Sequence, residues 1–97
     1  MFDFEVHGLA DEAQAKAVVS AFDELIRVGE GLEPHEVGLG WSVEDGRYWV
    51  SGETDYPIRV VRSRYWRPHF EAVLRAGVEA TAPGATFTIN WRYPDDD

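Results

Sequence analysis

The 97-residue chain predicts an α+β domain in the order β-α-β-β-α-β, with a four-stranded antiparallel sheet and two helices on one face. Three observations predict it. Val37, Leu39, Trp41 and Val43 alternate with Gly38, Gly40, Ser42 and Glu44, the period-two signature of a half-buried strand. Asp45-Gly46 follows, a dipeptide whose glycine accepts positive φ and reverses the chain, and Arg47–Glu53 resumes as a second strand rich in aromatic and β-branched residues. Outside this hairpin, on each side, comes one amphipathic helical segment and then one more alternating strand.

In chain order, Phe2, Phe4 and Val6 alternate with Asp3, Glu5 and His7, which predicts a strand over 2–7 ended by Gly8. Asp11 is placed to cap the first helix, and Gln14 stands three residues on, the spacing of a capping box. Ala15, Val18, Val19, Phe22, Leu25 and Ile26 then mark one helical face, and Gly29 and Gly31 supply the stop. Residues 30–36 read as an acidic loop broken by Pro34. After the hairpin, Asp55-Tyr56-Pro57 is a turn, and Ile58, Val60 and Val61 fit either a short edge strand or an ordered loop. The second helix begins near Pro68, since a proline in the first helical turn has no N–H to leave unsatisfied. Phe70, Val73, Leu74, Gly77 and Val78 form its inward stripe, and Thr81-Ala82-Pro83-Gly84 ends it. Gly77 there suggests a close approach of helix to sheet. Phe87, Ile89, Trp91 and Tyr93 face inward from the last strand, with Thr86, Thr88, Asn90 and Arg92 outward.

Right-handed crossovers place both helices behind the sheet, with strand order 4-1-3-2. That layout resembles the ferredoxin-like plait, an architecture that hosts many unrelated functions. Small acylphosphatases are similar in length and strand order. Their activity rests on a phosphate-cradling loop after the first strand that leads to an arginine, and on an asparagine in the central hairpin. Here that loop is Gly8-Leu9-Ala10-Asp11-Glu12, acidic where a phosphate would sit, and the one asparagine, Asn90, falls in the last strand. The resemblance therefore stops at architecture.

Composition narrows the function. The length fits one domain over 1–97, with Asp95–Asp97 as a disordered acidic tail. The absence of cysteine excludes a disulfide scaffold, a thiol nucleophile and thiolate metal ligands, and it suits a reducing cytoplasm. Met1-Phe2-Asp3-Phe4-Glu5 has neither the basic nor the apolar region of a signal peptide, and no run is long enough to cross a bilayer. Net charge is −9: residues 1–55 carry 13 acids against Lys16, Arg27 and Arg47, and residues 56–97 carry 5 acids against six arginines. Such a surface repels a phosphate backbone, argues against direct nucleic-acid binding, and favours a basic protein partner.

Motifs for chemistry are few. His7, His35 and His69 lack any paired metal spacing, and no serine lies in a Gly-x-Ser-x-Gly elbow. Gly29-Glu30-Gly31-Leu32-Glu33 is acidic and lacks the third glycine and the lysine of a nucleotide loop. Glu5 and Glu53 fall on neighbouring strands, where paired carboxylates can act as acid and base only inside a pocket. Arg59, Arg62, Arg64 and Arg67 interleave with Tyr56, Tyr65 and Trp66. That mixture serves either a binding edge or charge neutralisation of nearby acids.

The reading is thus a non-catalytic acidic domain of the immunity-protein or antitoxin kind, which occludes a basic toxin or nucleic-acid enzyme. No cofactor is implied. The expected contact residues are Asp3, Glu5, Glu30, Glu33, Glu36, Glu44, Asp45 and Glu53 as the negative field, with Trp41 or Trp49 as apolar anchor. Tyr56, Arg59, Arg62 and Arg64 form a second candidate edge. The rival readings are a small-molecule or enzymatic domain that dimerises sheet to sheet, and a single-strand nucleic-acid binder using Arg59–Arg67. In the Arg47–Glu53 segment Tyr48, Trp49 and Val50 are all apolar, so two alternations fit, one with Trp49 outward and one with Tyr48 and Val50 outward.

Overall fold

A computed structural model of the chain describes residues 2–29, 37–53 and 66–91. The elements are β1 (Phe2–Leu9), α1 (Glu12–Asp23) continued by a π-helical turn over Glu24–Gly29, β2 (Gly38–Glu44), β3 (Arg47–Glu53), α2 (Trp66–Thr81) and β4 (Thr86–Trp91). The four strands form one antiparallel sheet in the order β2-β3-β1-β4, which is the expected 4-1-3-2 read from the other edge. The fold is α+β. The alternative of a strand or loop at Ile58–Val61 lies outside the described residues, as do Arg92 and Tyr93.

Alternation along each strand decides which side is dry. Phe2, Phe4 and Val6 on β1, Val50 on β3 and Phe87 on β4 are buried on one side of the sheet. Both helices cover that side. Phe22 of α1 meets the Phe4 ring edge-on at 5.3 Å and Phe87 at 6.2 Å, and Phe70 of α2 lies 5.3 Å from Phe2. Ala15, Val18, Phe22 and Ile26 are buried on the first helix, and Phe70, Leu74 and Val78 on the second. Each such phenylalanine, leucine, isoleucine or valine contributes roughly 1.5–3 kcal/mol by leaving water.

Local signals explain the boundaries. Asp11 has extended backbone and its Oδ1 accepts from the Gln14 amide at 2.8 Å, a capped helix start. The Gln14 side chain reaches back to the Ala10 amide at 2.7 Å, one residue before the cap itself. The hairpin turn has positive φ at both Asp45 (53°) and Gly46 (74°), a type I′ turn whose twist matches its strands. Gly84, with φ of 91°, ends the α2–β4 connection, where the Ala85 amide donates to the Ala82 carbonyl.

Two expectations are corrected, and the start of the second helix is refined. Gly8 does not end β1: its φ of 83° forms a bulge between Val6 and Leu9, and the strand resumes so that Leu9 opposes Tyr48. The second helix starts at Trp66, which leaves Pro68 still within the first turn. Gly77 faces the first helix instead of the sheet: a Cβ there would lie 2.8 Å from Leu25 Cδ1 and 3.7 Å from Phe22 Cε1. The small residue lets the helices approach one another. Among the described residues, no helix is long and apolar enough to cross a membrane.

Candidate functional site: the open face of the sheet

The side of the sheet away from the helices is built in rows fixed by register. Gly38 opposes Glu53, Glu53 opposes Asp3, and Asp3 opposes Asn90, one row across all four strands. The next row runs Gly40, Ser51, Glu5 and Thr88. Beyond it Ser42 opposes Trp49, and at the hairpin end Glu44 opposes Arg47. The strand pattern that buries Val50 turns Arg47, Trp49, Ser51 and Glu53 outward, so of the two alternations Trp49 takes the open face. Tyr48 packs on the helix side, 6.1 Å from Trp41.

Trp49 is the large aromatic of this face. It is half-buried, and the His7 ring stacks on it with centroids 6.0 Å apart and planes 23° from parallel. His7 Nε2 lies 2.6 Å from Glu5 Oε1, both side chains being about half exposed. Glu5, His7, Glu44, Asp45, Arg47 and Ser51 surround the indole in a shallow depression open to solvent. A second depression adjoins it, floored by Gly38, Gly40 and Gly52 and edged by Asp3, Glu5 and Glu53.

The electrostatics are acidic. Asp3 and Glu53 stand directly opposite one another, and like charges so placed repel. Asn90 Nδ2 donates to Asp3 Oδ1 at 3.0 Å from the other side. The carboxylate opposite Glu53 is therefore Asp3, while Glu5 opposes Ser51 and sits diagonally from Glu53. No three histidines or carboxylates gather as a metal-ligand set among the described residues.

Of the expected contact residues, Asp3, Glu5, Glu44, Asp45, Trp49 and Glu53 share this face and its hairpin end. Trp41 does not: it is on the helix side, partly buried against the core, and cannot anchor a partner on the open face. Glu30, Glu33, Glu36, Tyr56, Arg59, Arg62 and Arg64 lie outside the described residues. His7 and Arg47 join the face without having been picked out as contacts. His7 was legible from its alternation with Val6; its stacking on Trp49 needed the β1–β3 register, which the bulge at Gly8 sets. Comparison with protein families, curated proteins and solved structures finds no match to this chain.

Proposed function

We propose that the protein is a non-catalytic acidic binding domain that grips a basic protein partner with the open face of its sheet. The observation that supports this is Trp49, a half-buried indole on an otherwise polar surface, ringed by Glu5, Glu44 and Asp45. An aromatic anchor within a mainly acidic field, with Arg47 its one arginine among the described residues, is the composition of an interface centre with its steering rim. Cations also bind favourably over the face of an indole. Within that role we assign an inhibitor of the immunity or antitoxin type, built on a ferredoxin-like plait and acting in the cytoplasm, whose partner is a toxin or enzyme working on nucleic acid.

The test is retention of a basic protein from native lysate by immobilised wild type and by Trp49→Ala, Glu5→Gln and Thr88→Ala. Retention that is lost with Trp49→Ala, weakened by Glu5→Gln and by added salt, and unchanged in Thr88→Ala supports the reading. Retention that ignores both Trp49 and salt overturns it.

A further inference from the structure

We propose that the outer edge of β2 receives an extended segment of the basic partner as a fifth strand, with arginine or lysine at every second position. This rests on the binding role proposed above and names the part of the partner that is held.

Among the described residues β2 pairs only with β3, and the N–H and C=O groups on the other side of its main chain meet no strand among those residues. Its seven residues stay in unbroken register with β3, without a bulge. The strand also lacks proline, lysine and arginine, the residues that commonly blunt an edge against pairing. An edge of this kind is a template for strand addition, in which main-chain bonds supply affinity and alternate side chains supply specificity.

The two faces of β2 dictate the guest's pattern. On the helix side a guest strand meets Leu39, Trp41 and Val43, the last 49% exposed, and there it takes apolar residues. On the open side it meets Gly38 and Gly40, where no side chain stands in the way. A Cβ built at Gly40 has nothing within 4 Å. A long side chain can therefore lie across β2 toward β3, about 10 Å or two strand spacings from the guest. Register names what lies in its path: Glu53 across Gly38, Ser51 across Gly40 with Glu5 one strand further on β1, and Trp49 across Ser42. Two carboxylates and an indole face in succession select cationic residues at alternate positions. A second copy of this chain fits poorly, because it carries the same charge of −9 and offers these positions no cation from its own β2.

The probe is a short peptide alternating arginine with valine, compared with one of the same composition whose arginines and valines form separate blocks. Binding is read by amide hydrogen exchange and titration against wild type, Gly40→Lys, Gly40→Val and Ala76→Lys. The alternating peptide should bind at least about tenfold tighter than the block peptide and slow exchange within Gly38–Glu44, and either Gly40 variant should cost it about tenfold. Ala76→Lys, the same charge change at an exposed position of α2 on the opposite side of the sheet, should leave affinity within about twofold. Equal or absent binding of the two peptides, or Gly40 variants no worse than Ala76→Lys, overturns strand addition. If capture of the whole partner still depends on Trp49 in that case, the binding role stands without it. A dimer in sedimentation that Gly40→Lys abolishes would give the edge to a second copy and also overturn it.

Discussion

Gly52 and Phe4 are fitted to one another across β1 and β3: they are paired in register, Gly52 is buried, and a Cβ on it would collide with the tip of the Phe4 ring at Cζ. Gly52→Ala should therefore lower stability by about 1–3 kcal/mol, the range for overpacking a well-filled site. Gly77→Ala makes a useful contrast. Its new methyl crowds only the end of the flexible Leu25 side chain, with Phe22 at ordinary contact distance, while the helix gains about 1 kcal/mol in propensity, so its net effect should be small. Urea unfolding midpoints distinguish the two, and equal losses would contradict the assigned geometry. Glu53 belongs to the same scale. Glu53→Gln relieves repulsion from Asp3 and should raise stability by roughly 0.2–1 kcal/mol while weakening the partner. A drop in unfolding midpoint would show that Glu53 makes a favourable contact instead. The side of the sheet that Trp49 takes was not legible, because three consecutive apolar residues permit either phase. The burial of Val50 and Gly52 decides it.

At the scale of elements, periodicity identified both helices and all four strands, because each has one wet face and one dry face. What escaped it was local backbone geometry. The bulge at Gly8 depends on a positive φ that glycine permits but does not require. The π-helical turn over Glu24–Gly29 was likewise hidden, since Leu25 and Ile26 satisfy an ordinary helical stripe. There the wider turn keeps Ile26 in the core while Leu25 reaches Gly77. The cap at the other end of that helix is open to a direct test. Asp11→Ala should cost about 0.5–2 kcal/mol, and Asp11→Asn much less, since asparagine retains an acceptor for the Gln14 amide. Equal thermal midpoints for the two variants would count against the cap.

Over the whole molecule, charge and layering act together. One side of the sheet is covered by the helices, incompletely along β2, and the other carries Asp3, Glu5, Glu44 and Glu53 within a chain of net charge −9. The candidate face was therefore partly readable in advance: its outward residues follow from alternation, while the neighbours of each follow only from register. The acidic residues Glu30, Glu33 and Glu36 extend the field in sequence, and reversing all three should slow association with a basic partner several-fold at low salt. Stopped-flow mixing at two ionic strengths checks this, and an unchanged rate at low salt would remove that segment from steering. The topology has a temporal side as well. β1 is an inner strand, and its partner β4 begins only at Thr86, so Phe2 waits for Trp91 before its own row is complete. During synthesis, a ribosome-held chain halted after Thr81 keeps an apolar strand bonded along one side at most. It should stay protease-sensitive and chaperone-bound, whereas release of residues through Trp91 lets the sheet close around β1 in a single late step. Protease resistance in the halted chain would mean that the first three strands hold without the fourth.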